Sequence, residues 1–135
     1  MNKTFSILIT ICLLVAFEGC AQSGNSEAKK TTYHKITAAE AKKIMDENPK
    51  ALLLDVRTEA EYKEVHIPGA ILLPVSDIGV KAAEMLPDKN ALILVYCRSG
   101  RRATSAAILL VSMGYTNIYD FGGIIDWSYK TEKGQ

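Results

Sequence analysis

Two short segments, ALLLDV at residues 51–56 and ALILVY at residues 91–96, are apolar at nearly every position. A strand with one face in water alternates apolar and polar residues, because successive side chains point to opposite sides. A run without that alternation must be covered on both faces, the condition of a strand inside a parallel sheet with helices on either side. The intervening segments read as helices. Thr37 and Glu40 form a capping-box pattern ahead of a helix over residues 38–48, where Ala41, Ile44 and Met45 share a face and Pro49 blocks continuation. Thr58 and Glu61 repeat the pattern for a short helix ending near Val65. Further helices are expected between residues 77 and 86, stopped by Pro87, and over 102–113, closed by Gly114. Short strands fit residues 70–73 and 117–120, and a last helical turn falls around Trp127. Strands and helices interleaved in this way specify an α/β fold: a small doubly wound, open parallel sheet flanked by helices on both faces. At 135 residues there is room for one ordinary domain.

The amino-terminal segment follows a different rule. Lys3 supplies a positive charge and residues 5–17 form an apolar run of thirteen, short of the roughly 20 needed to span a bilayer. This is the pattern of a signal peptide over residues 1–20, and hence of an exported chain. Gly19-Cys20 at its end resembles a bacterial lipoprotein signal, in which cleavage before the cysteine leaves Cys20 as the lipidated first residue. The resemblance implies a membrane anchor facing the periplasm or the cell surface. Cleavage after Ala21 and simple secretion is the alternative. Residues 21–32 are rich in Ser, Gly, Asn, Lys and Thr and read as a flexible tether, with the domain over residues 33–130.

Of the three cysteines, Cys12 lies in the apolar run and Cys20 at the cleavage site, so Cys97 is the single thiol of the mature domain. In an exported protein an unpaired cysteine points to a reactive thiol or an intermolecular bridge. Its place decides between that and an inert core residue. Cys97 follows the strongest strand and precedes a helix, the position outside the carboxyl ends of the strands where open α/β sheets bind ligands. Loop N–H groups and the helix dipole favour negative charge there. Arg98, Arg101 and Arg102 add positive side chains, and Ser99 and Gly100 permit a tightly curled backbone. Such surroundings are expected to draw a thiol below its free value of about 8.5, toward thiolate at neutral pH.

These residues stand among others that together resemble the rhodanese family. The matching pieces are Asp55-Val56-Arg57, Glu61-Tyr62 with residues 66–70 (HIPGA), and residues 95–100 (VYCRSG) with Arg102. Gly114-Tyr115 and Gly122-Gly123 with Trp127 complete a set running from Tyr33 to Tyr129. The resemblance implies a sulfurtransferase in which Cys97 alternates between thiolate and persulfide. A small anionic sulfur donor such as thiosulfate loads it, and a thiol or a protein acceptor unloads it. Arg98 and Arg101, with Ser99 and Gly100 of the loop, are then the candidates for binding the donor; Arg102 is either a further binding residue or a structural one. Related phosphatases and arsenate reductases place five residues between cysteine and arginine, whereas four separate Cys97 from Arg102, which favours sulfur over a tetrahedral oxyanion. Two other readings use the same fold: a non-catalytic binding or sensory module, and a redox protein forming mixed disulfides through Cys97.

Asp55 and Arg57 are read as supporting residues beside the loop, able to hydrogen-bond its backbone. His66 is expected to satisfy local backbone groups, and Tyr115 and Trp127 to anchor the core. Val65 stands where the family usually has glycine, so the turn must avoid positive φ or carry strain. With little beyond Trp127 to cover the mouth of the site, Cys97 is expected to be exposed. Two histidines and one available cysteine, without CxxC or HExxH spacing, offer no metal site, and no glycine-rich phosphate loop suggests a nucleotide cofactor. A net charge of +1 supplies no argument for nucleic acid as a partner.

Overall fold

A computed structural model describes residues 32–134. Five parallel strands, β1 (Tyr33–Lys35), β2 (Leu52–Asp55), β3 (Ile71–Leu72), β4 (Ile93–Cys97) and β5 (Ile118–Gly123), form one sheet in the order β1-β5-β4-β2-β3. The helices are α1 (Ala38–Glu47), α2 (Glu59–Glu64), α3 (Ile78–Met85) and α4 (Arg101–Ser112). This is the expected α/β architecture. Strand β1 is an addition: three residues of mixed polarity carry no strand pattern, and their pairing with Ile118, Tyr119 and Asp120 of β5 makes them one. The signal segment, Cys20 and the tether up to residue 31 lie outside the described residues.

The two apolar runs became the central strands, and their side chains divide between two cores. Leu54, Ile93, Val95 and Ile118 face α3 and α4, where Ile78, Ala82, Ala103, Ala107 and Leu110 are fully buried. Leu53, Leu94, Tyr96 and Phe121 face the opposite way, toward Ala41 of α1, Ile67 and Trp127. Runs without alternation were therefore the correct sign of a sheet covered on both sides. Burying each large side chain stabilises by about 1.5–3 kcal/mol, so these strands hold the domain together. Tyr115 anchors the first core as expected: its hydroxyl lies 2.9 Å from the carbonyl oxygen of Ala82 and 2.7 Å from that of Leu86 at the end of α3. Trp127 anchors the second, packed at 5.7 Å on Phe121 and donating its indole N–H to the Lys130 carbonyl.

Both expected capping boxes are present. The Thr37 hydroxyl accepts the Glu40 N–H while the Glu40 carboxylate accepts the Thr37 N–H, and Thr58 and Glu61 repeat the exchange. Val65 escapes strain by standing in extended backbone at φ −163°. No non-glycine residue among those described has positive φ.

Candidate functional site

The site forms where β4 ends and α4 begins. Ile93, Val95 and Cys97 point to the same face by strand alternation, so the Cys97 side chain enters the core beside α4. The chain then turns within three residues. Gly100 closes the turn at φ 114°, in the left-handed region, and its N–H donates to Cys97 Sγ at 3.0 Å. The loop thus aims a backbone donor at the sulfur. The first turn of α4 follows at once, and no side chain caps it.

Cys97 is 1% exposed, which corrects the expectation of an open thiol. Its side chain belongs to the core cluster that holds Val95, Ala103 and Ala106, and the loop above is tightly packed. Gly123 packs so closely beneath the loop that a Cβ there would lie 2.0 Å from the Arg98 carbonyl oxygen. That carbonyl in turn accepts the Ile125 N–H at 3.2 Å. The end of β5 thus supports the loop from below, and its continuation runs along the loop's side. Asp120 fixes this support from within, accepting the Gly122 N–H at 2.9 Å and the Thr104 hydroxyl of α4 at 2.8 Å. Asp120 was not singled out in the sequence; a lone aspartate near the end of a short strand carries no signal of its own.

The arginines separate. Arg98 and Arg101 are exposed, and neither guanidinium has a hydrogen-bonding or ionic partner among the described residues. Arg102 instead forms two 2.8 Å bonds to the Glu61 carboxylate. Those bonds raise the Arg102 pKa and, with the Thr58 cap, hold Glu61 down to about 2 despite partial burial. Arg102 therefore ties α4 to α2, and Glu61, first read only as a cap, is its partner. Ser99 is exposed and Gly100 buried.

Asp55 and Arg57 are structural neighbours, though not through the Cys97 loop. Asp55, fully buried, receives the Arg57 guanidinium on both oxygens at 2.6–3.1 Å and the Tyr96 hydroxyl at 2.7 Å. Arg57 also donates to the Val65 carbonyl at 2.6 Å, and Tyr96 accepts the Ile67 N–H. Burial works against the Arg57 cation, and the bonds and charge of Asp55 outweigh it, so its pKa is raised. Burial also pushes the Tyr96 phenol far up, helped by the Asp55 charge, so it stays a donor. This network holds the turn at 65–67 against the central strands. His66 serves that turn as expected: its ring stacks on Tyr62 at 3.8 Å, and Nδ1 meets the Tyr62 carbonyl at 2.9 Å.

Beside the loop opens a cavity of about 330 Å³, bordered by Arg57, Glu61, Glu64, Val65, Arg98, Ile124 and Ile125. Residues 37–130 match the model of the rhodanese-like domain. The chain belongs to the rhodanese family. Among curated relatives, thiosulfate sulfurtransferase PspE of Escherichia coli K12 is 37% identical over 81 residues, covering 60% of this chain and 78% of that one. A sulfurtransferase of Allochromatium vinosum is 38% identical over 78 residues, 57% of this chain and 71% of the other. Among solved structures, an E. coli rhodanese with anions aligns with a TM-score of 0.59 at 36% identity, covering 62% of this chain and 99% of that one. The chain is thus a rhodanese-type enzyme.

Proposed function

We propose that the protein transfers sulfane sulfur from thiosulfate, or a similar small anionic donor, to a thiophilic acceptor through a persulfide on Cys97. The observation that carries this reading is the Gly100 N–H on Cys97 Sγ, at the uncapped start of α4, in a chain of the rhodanese family. In the first step the Cys97 thiolate attacks the outer sulfur of thiosulfate. The S–S bond of the donor breaks and sulfite leaves with its electron pair, leaving Cys97–S–S⁻. In the second step a nucleophile attacks the outer sulfur, and the Cys97 thiolate departs with the pair from the broken S–S bond. Each half is a two-centre displacement and needs no external oxidant or reductant.

The loop supplies the electrostatics. The Gly100 N–H donates to the sulfur on which charge builds, beside the positive end of α4, and Gly123 packs closely beneath the loop that carries it. Exposed Arg98 and Arg101 attract the anionic donor. Burial of Cys97 weighs against a mixed disulfide with a folded partner, because the thiol cannot meet a flat protein surface. Intact mass spectrometry before and after thiosulfate is the test. A gain of one sulfur atom, removed by cyanide and absent from Cys97→Ser, is expected; a free thiol that takes up no sulfur overturns the reading.

Export and lipidation at Cys20 belong to the same proposal and rest on Lys3, the apolar run at 5–17 and Gly19-Cys20. Cells expressing the chain with an alkyne fatty acid should label it, and Cys20→Ala should abolish the label. Labelling that survives Cys20→Ala, or none at all, refutes the anchor.

A further inference from the structure

Arg57 is 3% exposed and presents its guanidinium edgewise to Asp55. Nε and Nη2 are consumed there and at the Val65 carbonyl. Nη1 has no partner among the described residues. It is also not sealed in protein, since no wholly buried side-chain nitrogen or oxygen among them lacks a partner. Arg57 borders the 330 Å³ cavity. A nearly buried cation with a free donor at the border of a cavity is a preformed anion anchor, because its ordering and desolvation costs are already met by Asp55. Arg98, whose guanidinium also has no partner among the described residues, borders the same cavity. The two acids of the lining differ in kind. Glu61 is neutralised by Arg102, whereas Glu64 is exposed and has no ionic partner among the described residues. Val65, Ile124 and Ile125 supply apolar surface to the lining.

We propose that this cavity is the acceptor subsite and that it selects amino-acid-type thiols. The carboxylate sits on Arg57 Nη1 and Arg98, the ammonium sits by Glu64, and the carbon chain rests on Ile124 and Ile125. This rests on the persulfide reading of Cys97 and adds the identity of the acceptor. The chemistry balances: the acceptor thiolate attacks the outer sulfur of Cys97–S–S⁻, a new S–S bond forms as the old one breaks, and the pair returns to Cys97. A slender thiol on a short chain also suits a sulfur that is buried, since a cysteine on a folded surface could not follow it into the loop.

The test uses enzyme first loaded with thiosulfate and then discharged by four thiols: cysteine, N-acetylcysteine, cysteamine and 2-mercaptoethanol. They carry both charges, the carboxylate alone, the ammonium alone and neither. Comparing each variant with wild type, thiol by thiol, cancels their different nucleophilicities. Glu64→Gln is expected to lower kcat/KM about fivefold for cysteine and cysteamine only. Arg98→Gln and Arg57→Gln are expected to lower it about tenfold for cysteine and N-acetylcysteine only. Cyanide, which has no tail and no ammonium, should discharge Glu64→Gln at the wild-type rate. If Arg57→Gln fails to fold, Glu64→Gln and Arg98→Gln carry the test, both being surface changes. Equal effects on all four thiols, or none on any, overturn the proposal, with cyanide discharge of Glu64→Gln intact as the control. Failure to load sulfur at all would instead refute the persulfide reading.

Discussion

The helices α1 and α2 begin in one way and α4 in another. At α1 and α2 a threonine hydroxyl takes one free N–H and a glutamate returns to cover a second. At α4 the residue before the helix is glycine, the first turn carries two arginines and no acid, and no side chain closes the end. All three ends expose the same backbone donors and the same positive dipole. A cap satisfies them for stability, at about 1 kcal/mol. Leaving them open forgoes that gain and keeps the donors for an outside anion. The start of α3 also lacks a side-chain cap, so what sets α4 apart is the coincidence of an open end with the Cys97 thiol.

Expected outcomes can break or sharpen this comparison. Cys97→Ser should abolish sulfur uptake by intact mass while leaving the thermal midpoint near wild type. Gly123→Ala should act on the support of the open end: its Cβ meets the Arg98 oxygen at 2.0 Å, so the loop must move. A loss of about 3 kcal/mol in a denaturant titration and of about hundredfold in loading rate is expected. Wild-type loading there would show that the loop does not depend on β5. Ser99→Asp places a carboxylate beside the open end. Loading by thiosulfate should fall about tenfold with stability unchanged, and a rate equal to wild type would deny the end its electrostatic role.

Smaller effects belong to the closed ends. Glu61 is held at about 2 by Arg102 and the Thr58 cap, against an ordinary 4.5. A value lower in the folded state means that the stabilisation is complete above about pH 4.5 and is lost as pH falls toward 2. Glu61→Gln should therefore cost about 1–2 kcal/mol at pH 7, less the screening of a partly exposed pair, and flatten that part of the pH–stability curve. Thr37→Ala should cost about 1 kcal/mol, roughly 4–8 °C in Tm, with no change in loading. A loading defect in Thr37→Ala would erase the distinction between the two kinds of helix end.

Much of the fold was legible because the physics behind it is local. Apolar runs at 51–56 and 91–96 require cover on both faces, and Thr-x-x-Glu requires only four consecutive residues to act. Strand β1 escaped notice because Tyr33–Lys35 owes its conformation to β5, more than eighty positions away. The candidate site divides along the same line. Cys97, Gly100 and the arginines could be placed from their order along the chain. The partner of Arg102, the clamp at Asp120 and the free edge of Arg57 could not, since each depends on contacts between distant segments.

By itself the sequence determined the layered fold, the lone thiol at a strand end and the family to which the chain belongs. These follow from periodicity, capping and short-range order, which are properties of neighbours. Only the tertiary structure decided that the thiol is buried, that Arg102 braces α2 while Arg98 and Arg101 stay free, and that Arg57 opens onto a cavity. Burial and charge pairing depend on which segments meet, and the packing of α4 on the sheet places Cys97 in the core.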